Sequence, residues 1–181
     1  MQIETERLLL RLFAEADAAD LYKYAKDPEV GPAAGWPPHG SVEESRNIIR
    51  LVLSGPESYA ICKKEDGRVI GAIALSLNGD SRLAEEEDEC ELGYWIGKPF
   101  WGQGLMTEAS EALLRRAFTE LGMRRVWCGY FEGNEKSKRV QEKLGFRHEK
   151  TLRDVDVPLL KEVRTEHVSL LSREAWRLKN M

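Results

Sequence analysis

The chain has 181 residues, of which 42% are hydrophobic and 32% are charged, and its formal net charge is −4. This length and composition predict a single soluble domain, residues 1–181, with a hydrophobic core of its own. The acidic balance argues against a nucleic-acid-binding surface, and no apolar stretch approaches the ~18 residues that a membrane-spanning helix requires.

Hydrophobic periodicity and turn signals predict alternating strands and helices. In chain order they are a strand over 3–12, a helix over 14–26, an irregular loop rich in Pro and Gly over 31–40, a helix after Ser41, strands over 59–63 and 69–77, an exposed acidic loop over 85–89, a strand over 90–96, a helix over 105–121, a strand over 125–131, a helix after Asn134, and strands near 146–153 and 162–171. This alternation predicts a mixed sheet covered by helices on both faces.

The cysteines give no sign of a metal or redox site. Cys62, Cys90 and Cys128 are too far apart for a CxxC pattern, and each lies in a strand-like apolar run. We therefore expect buried, inert thiols. The three histidines form no metal-ligand spacing. The start of the chain lacks the basic and apolar regions of a secretory signal, so a cytoplasmic location is expected.

A tight glycine turn lies between the strand over 90–96 and the helix that follows it. Gly102-Gln103-Gly104 precedes that helix, whose first N–H groups lack intrahelical partners and lie at the positive end of the helix dipole. Glycine allows a bulky anion to approach the backbone closely. The turn therefore predicts a phosphate or diphosphate site, although a turn that only caps a helix has the same pattern.

Three common phosphate-binding loops do not match this turn. A Walker A loop has Lys and then Ser or Thr after its last glycine, where this chain has Leu105 and Met106. A dinucleotide-binding fingerprint has a third glycine where this chain has Thr107. A kinase glycine-rich loop lies in a hairpin rather than before a helix.

A second motif begins at Asn134 and reads Asn-Glu-Lys-Ser-Lys-Arg-Val-Gln-Glu-Lys-Leu-Gly-Phe. Asn134 is suited to cap a helix that ends before Gly145. Ser137 and Leu144 fall on one face of that helix, so the hydroxyl of Ser137 points the same way as the apolar residues. A hydroxyl in that position needs a hydrogen-bond partner, which a carbonyl of its own helix can also supply.

Together, the Trp-Gly-Gln-Gly turn and the later Asn-x-x-Ser-x-x-Val-x-Glu-Lys-Leu-Gly-Phe motif resemble the GNAT superfamily of acetyl-CoA-dependent N-acetyltransferases. Within it, the chain is most similar to the RimJ/RimL-like branch, which is named for enzymes that acetylate the N-termini of ribosomal proteins. The likeness extends from residues 5–11 to residues 169–176. It implies an α/β (α+β) fold with a mixed, mostly antiparallel, six- to seven-stranded sheet and a V-shaped cofactor cleft between two central strands.

The resemblance implies that acetyl-CoA is the acetyl donor and that no metal takes part. The main-chain amides from Gly102 to Thr107 would hold its diphosphate, and its pantetheine arm would pair with the strand at 93–95 as an added strand. Lys138 is the candidate contact for the 3′-phosphate, although a solvated helix face explains a lysine there equally well. The expected acetyl-CoA-binding residues are Tyr94, Trp95, Ile96, Trp101, Gly102, Gln103, Gly104, Leu105, Met106, Thr107, Asn134, Ser137 and Lys138.

Acetyl transfer requires a neutral amine, support for the thioester oxygen and a proton for the departing thiolate. Many members of the superfamily supply that proton from a Tyr, and this chain has Gln141 in its place. By resemblance to the branch, Ser137 takes over this role and Asn134 bonds the pantetheine or its sulfur end. Some members carry a Glu base where this chain has Gly129. Glu91 is therefore the candidate base, although an ordinary edge-strand Glu fits the position as well.

The acceptor pocket is expected at the Pro-rich loop, by resemblance to the branch. Trp36, Pro37 and His39 are the candidate substrate-binding residues, and a surface turn with Trp36 packed inward is the alternative. A peptide or protein N-terminal α-amine is the favoured acceptor, a small-molecule amine is the second class, and neither nucleic acid nor membrane is an expected partner. The chain is expected to be a monomer or a homodimer.

Two other classes of function fit parts of this pattern. A catalytically silent acyl-CoA-binding or sensing domain is suggested by Gln141 in place of the usual Tyr. A structural or interaction protein would use its glycines only to shape a turn. The binding of acetyl-CoA and the turnover of amines separate these classes from an acetyltransferase.

Overall fold

The computed structural model describes residues 1–77 and 79–181. Within them, eight strands form one sheet in the order β1-β2-β3-β4-β5-β6-β8-β7. The strands are β1 (Gln2–Glu4), β2 (Leu8–Leu12), β3 (Ser58–Lys63), β4 (Val69–Leu77), β5 (Glu89–Ile96), β6 (Arg125–Phe131), β7 (Arg147–Val157) and β8 (Glu162–Ser172). The helices are α1 (Ala18–Ala25), α2 (Gly31–Ala34), α3 (Val42–Leu51), α4 (Leu105–Thr119), α5 (Glu135–Leu144) and α6 (Arg173–Lys179). The mixed α/β architecture that the sequence predicts is confirmed.

The described chain divides into two compact units. The first contains Met1–Ala74 and Tyr94–Ala109, and the second contains Leu75–Gly93 and Ser110–Met181. The first unit includes the glycine turn before α4, and the second includes the Asn134 motif. The single domain that the sequence predicts stays a prediction.

In the first unit, β3 is buried on both faces. Strand alternation sends Tyr59 and Ile61 to one face and Ala60 and Cys62 to the other, yet all four are at most 1% exposed. Ala60 and Cys62 cluster with Val69 of β4. The burial raises the pKa of the Cys62 thiol. This strand therefore has a continuous apolar sequence rather than an alternating one, and the prediction of buried thiols is confirmed.

Gly71 allows β4 to approach the end of β5 closely. A Cβ atom added at Gly71 would collide with the Trp95 carbonyl oxygen and would lie 2.9 Å from Ile96 Cα. Beside this contact, Gly97 N–H donates to the Ile70 carbonyl at 2.8 Å. The contact with Gly71 thus fixes the backbone of Trp95 and Ile96, both of which are predicted to bind the cofactor.

We expect Gly71→Ala to lower the free energy of unfolding by about 1–3 kcal/mol, because main-chain atoms of β5 must move to make room for the methyl group. Gly93→Ala on β5 is the matched control, since a Cβ there meets nothing within 4 Å. Urea unfolding, followed by tryptophan fluorescence, measures both variants. Equal stability of Gly71→Ala and the parent chain would show that the contact is not tight.

In the second unit, β6 pairs in parallel with β5 over a short stretch only. The β5–β6 register consists of Glu89↔Arg125, Cys90↔Val126 and Glu91↔Trp127. The antiparallel β6–β8 register, by contrast, continues to Phe131↔Glu166. Within the described residues, β5 and β6 therefore stop pairing after Glu91 and Trp127.

Near the two ends of the chain, the structure differs from the sequence expectations in one strand and in one helix. The strand predicted over 3–12 is β1 and β2, because the Thr5 hydroxyl accepts from Leu8 N–H at 3.0 Å and closes a turn between them. The sheet consequently has eight strands instead of six to seven. The sequence pattern did not predict α6, which begins after Ser172, whose hydroxyl accepts from Ala175 N–H at 3.2 Å.

The loop predicted over 31–40 contains the short helix α2, so the expectation of wholly irregular structure was wrong there. Pro32 lies in the first turn of α2, where a missing N–H costs nothing. Gly35 ends the helix with a φ of 92°. One proline and one glycine thus begin and end the helix in the positions that suit them.

Glu89 was predicted to lie in an exposed acidic loop, and that prediction was wrong. The residue opens β5 and is 2% exposed. Its carboxylate accepts from Trp127 Nε1 at 2.8 Å and from Arg125 Nη1 at 2.9 Å. Burial opposes ionisation of Glu89, but these hydrogen bonds outweigh it and lower the pKa of the carboxyl group.

Candidate functional site

The predicted anion-binding turn has the backbone conformation that its glycines suggest. Gly102 has a φ of 74° and Gly104 a φ of 76°, a region that other residues rarely adopt. Trp101 Nε1 donates to the Ile96 carbonyl at 2.9 Å, and Gln103 Nε2 donates to the Pro99 carbonyl at 2.8 Å. These side chains hold the turn against the end of β5.

The N–H groups of this turn are unpaired. In the part of the chain that the structure describes, none of the main-chain N–H groups from Gly102 to Thr107 has a hydrogen-bond acceptor. The next one, that of Glu108, donates to the Gly104 carbonyl at 3.0 Å and starts the helical ladder. A continuous row of donors therefore lies at the positive end of α4, as an anion site requires.

An aromatic contact in the first unit joins the predicted acceptor residues to the predicted cofactor residues. The rings of Trp36 and Trp95 meet edge to face, with centroids 5.3 Å apart. Trp36 also packs on His39, at 5.1 Å. His39 is buried, its Nδ1 lies 2.8 Å from Ser45 Oγ, and burial lowers its pKa. Pro37 is exposed. The structure brings Trp36 to Trp95 and places His39 against Ser45.

Asn134 caps α5, as the sequence predicts. Its Oδ1 accepts from Ser137 N–H at 3.2 Å, and the helix ends at Gly145, whose φ is 94°. Ser137 is half-buried. The side chain of Gln141, one turn further along, lies 3.3 Å from Ser137 Oγ. The structure thus brings together Asn134, Ser137 and the residue that replaces the usual Tyr.

Gln141 determines how the Ser137 hydroxyl can donate. The side chain is 2% exposed, and its Nε2 donates to the Gly129 carbonyl at 3.3 Å as well as to Ser137 Oγ. A carbonyl only accepts, so the Gly129 contact fixes the orientation of the amide. Ser137 Oγ is therefore the acceptor in its bond with Gln141, and its own hydrogen is directed to another atom. Gln141 Oε1 is buried without a partner among the described residues.

Glu91 is held in place by two residues that precede β5. Its Oε2 accepts from Ser81 Oγ at 2.9 Å and from Arg82 N–H at 3.2 Å. Glu91 is half-buried, whereas Cys90 and Leu92 are buried on the opposite face of the strand. Two hydrogen bonds thus position the carboxylate. Its role as a base stays a prediction.

A second carboxylate, that of Glu166 on β8, lies over Gly129. A Cβ atom at Gly129 would collide with Glu166 Oε1, so only glycine leaves room for the acid. Glu166 is 3% exposed and forms a two-point ion pair with Arg82, with nitrogen–oxygen distances of 2.9 and 3.3 Å. Glu166, on the neighbouring strand, therefore places a carboxylate beside position 129, where this chain has Gly instead of the Glu that some family members carry.

Lys138, the candidate for the 3′-phosphate, has a partner on its own helix. Its Nζ lies 3.8 Å from Glu135 Oε2, and the lysine side chain is 42% exposed. Such exposed pairs contribute little to stability and separate easily. The proposed phosphate contact therefore stays a prediction.

Comparison with known proteins identifies the family. Residues 7–147 match the family model described as an acetyltransferase (GNAT) domain. The chain belongs to the GNAT acetyltransferase family. It is similar to an uncharacterized N-acetyltransferase p20 of Bacillus licheniformis, with 31% identity over 175 residues that cover 94% of this chain and 96% of the relative. It is also similar to the [ribosomal protein uS5]-alanine N-acetyltransferase of Escherichia coli K12, with 35% identity over 163 residues, 85% of this chain and 82% of that one.

The GNAT protein is therefore an acyltransferase, and the ribosomal-protein enzymes among its relatives confirm the RimJ/RimL-like branch. Solved structures agree on the fold. A GNAT-family acetyltransferase from Bacillus anthracis superimposes with a TM-score of 0.83 at 24% identity, covering 96% of this chain and 99% of the other. A GCN5-related N-acetyltransferase from Brucella melitensis gives a TM-score of 0.81 at 22% identity, covering 98% and 80%.

Two negative observations concern only the described residues of the acetyltransferase. Residues 1–77 and 79–181 contain no group of His, Cys, Asp and Glu side chains arranged to hold a metal ion. In the same ranges, no helix has the length and apolar character needed to cross a membrane.

Sequence reasoning missed the parts of the site that depend on long-range contacts. Gln141 was treated only as a departure from the family, although its i, i+4 spacing from Ser137 signals that the two side chains meet. Nothing in the sequence pairs Glu166 with Gly129, because the register of β6 and β8 sets that contact. Arg7 lies almost a hundred positions before the turn that it reaches, and no local pattern indicates the contact.

Proposed function

We propose that this acetyltransferase transfers the acetyl group of acetyl-CoA to a primary amine by direct attack in a ternary complex, with a peptide or protein N-terminal α-amine as the favoured acceptor. The observation that carries the proposal is the unpaired row of N–H groups from Gly102 to Thr107 before α4. A small-molecule amine remains the second acceptor class.

The turn suits a diphosphate in particular. Its donors are consecutive, and the glycines at both ends of Gly102-Gln103-Gly104 leave the backbone uncovered. Each favourable anion contact at a helix N-terminus contributes roughly 0.3–1 kcal/mol at an exposed site. The Thr107 hydroxyl adds a further donor in the first turn of α4. Trp101 supports the turn through its bond to the Ile96 carbonyl, so the donors are arranged before the ligand binds.

Acetyl-CoA, when bound, supplies the acetyl group as a reactive thioester. We propose that Ser137 donates its hydroxyl hydrogen to the leaving sulfur, because Gln141 Nε2 occupies the acceptor side of Ser137 Oγ. The proton that the attacking nitrogen loses as the amide forms would restore the serine hydroxyl. Asn134 orients Ser137 by capping α5, and its side chain is proposed to bond the pantetheine or its sulfur end. Gln141 thus compensates for the absence of the usual Tyr by directing a neighbouring hydroxyl.

Glu91 is proposed to receive the proton of the acceptor ammonium, directly or through water, so that a neutral amine attacks. Its carboxylate is fixed by Ser81 and by the main chain of Arg82. Trp36, Pro37 and His39 form the proposed acceptor wall. The similarity to the uS5-alanine N-acetyltransferase favours a protein α-amine among the amines that this site suits.

Thermal unfolding and thiol release test the proposal. Acetyl-CoA at about 1,000 times its dissociation constant is expected to stabilise the protein by roughly 4 kcal/mol. A peptide with a free N-terminal alanine is expected to release CoA thiol, and the same peptide with a blocked N-terminus is the matched control. Binding without turnover of any peptide or small amine would indicate a silent acyl-CoA-binding domain. No stabilisation by acetyl-CoA would contradict the cofactor assignment.

A further inference from the structure

Arg7 lies in the turn between β1 and β2 and is tied to the first turn of α4 through Glu108. Glu108 Oε1 accepts from Thr5 Oγ1 at 2.5 Å and from Arg7 N–H at 2.7 Å, and Glu108 Oε2 accepts from Arg7 Nε at 2.7 Å. Burial opposes ionisation of Glu108, but these hydrogen bonds outweigh it and lower its pKa. The Glu108 carboxylate therefore stays charged and fixes one edge of the Arg7 guanidinium.

The other edge of that guanidinium lies at the glycine turn. Arg7 Nη1 donates to the Gln103 carbonyl at 3.0 Å. Arg7 Nη2 lies 3.6 Å from the position that a Cβ atom at Gly104 would take. Within residues 1–77 and 79–181, Nη2 has no acceptor, and the side chain is 47% exposed. An unpaired charged donor thus stands beside the unpaired N–H groups.

This arrangement offers an anion two kinds of donor. Glu108 neutralises the unit charge of Arg7, but its oxygens accept from Nε and from the main-chain N–H of Arg7 and leave Nη2 unpaired among the described residues, beside the positive end of the α4 dipole. Planar guanidinium groups recognise phosphate oxygens at close range and form charge-assisted hydrogen bonds with them. A dianionic group such as a diphosphate satisfies both the Nη2 donor and the main-chain donors.

We propose that Arg7 binds the diphosphate of acetyl-CoA directly through Nη2, while its bonds to Glu108 and Gln103 hold the guanidinium in place. This inference rests on the proposed function, since it assigns a further residue to the same ligand. Arg7 is the first residue of the stretch that matches the GNAT family model.

Calorimetric titration with CoA and with dephospho-CoA tests the assignment without measuring activity. Arg7→Gln is expected to weaken the binding of both ligands about tenfold or more, as the loss of a charge-assisted hydrogen bond does. Glu108→Gln keeps the cation and weakens its anchor, but it also removes a negative charge beside the anion site, so the net loss of affinity is expected to be no more than about threefold, against tenfold or more for Arg7→Gln. Arg50→Gln, which removes an exposed arginine paired with Glu15 in the same unit, controls for net charge and is expected to bind normally.

A measurement on the parent protein covers the case in which Arg7→Gln does not fold. Phenylglyoxal is expected to modify Arg7, as detected by mass spectrometry, and saturating CoA is expected to protect it, whereas pantetheine, which lacks phosphate, does not. Modification of Arg7 at the same rate with and without CoA would overturn the inference.

Three titration results would also overturn it. The first is an affinity of Arg7→Gln for CoA equal to that of the parent. The second is an equal loss of affinity in Arg7→Gln and Glu108→Gln, which would mean that Arg7 only holds the turn. The third is a loss of affinity for CoA but not for dephospho-CoA, which would place Arg7 at the 3′-phosphate. Failure of the parent to bind CoA at all would contradict the proposed function instead.

Discussion

Gly104→Val is expected to weaken the binding of acetyl-CoA by about 100-fold or more, which corresponds to about 2.7 kcal/mol. Gly104 has a φ of 76°, and an L-residue in that region costs roughly 1–2 kcal/mol, more for a β-branched side chain. The turn must therefore relax to another conformation, which rearranges the unpaired donors. The valine side chain also covers the backbone near Arg7 Nη2. Both effects remove the same anion site.

Gly67→Val is the matched control for this prediction. Gly67 belongs to the same unit and has a φ of 72°, and a Cβ atom there meets nothing within 4 Å. The substitution introduces the same backbone strain in the β3–β4 turn, so stability is expected to fall while the affinity for acetyl-CoA is retained. Calorimetry on the two folded variants separates strain from loss of the site. Equal affinity of Gly104→Val and the parent would argue against the glycine turn as the phosphate site.

Ser137→Ala is expected to lower kcat by about 10²-fold and to leave KM within about twofold of the parent value, because proton donation to the leaving group contributes in the transition state only. The bond from Gln141 Nε2 to Ser137 Oγ is the structural reason for this expectation, since it directs the hydroxyl hydrogen away from Gln141. Initial rates of thiol release at varied acetyl-CoA concentration give both constants.

Ser110→Ala serves as the matched control. Ser110 is also a helical serine, and its Oγ is buried without a partner among the described residues. Its removal is expected to leave kcat unchanged. A Ser137→Ala enzyme with kcat and KM equal to those of the parent would show that Ser137 only packs against Gln141.

Local patterns in the sequence were sufficient to predict two segments that contain candidate functional residues. The glycine turn and the start of α4 at Leu105 follow from a strand, two glycines and an amphipathic run, and the structure has them in that order. The Asn134 cap and the Gly145 stop were likewise predicted to the residue. Capping residues act within one turn of the chain, so their effect is readable from adjacent positions.

Contacts between distant segments were not predictable in this way. The carboxylate over Gly129 comes from Glu166 because β8 pairs with β6 in a particular register, and register depends on the packing of the whole strand. The burial of Glu89 likewise depends on contacts with a distant segment. Glu89 follows four acidic residues and was predicted to be exposed, yet the side chains of Arg125 and Trp127 on β6 satisfy it in a buried position. A local composition does not reveal a partner on another strand.

The most direct test of the central claim is a titration of the ¹⁵N-labelled protein with acetyl-CoA, followed by the amide resonances of Gly102 to Thr107. These resonances are expected to shift together, to move downfield as hydrogen bonds to phosphate form, and to saturate at one dissociation constant. Amide resonances in this stretch that stay unchanged, while the protein binds acetyl-CoA elsewhere, would contradict the account.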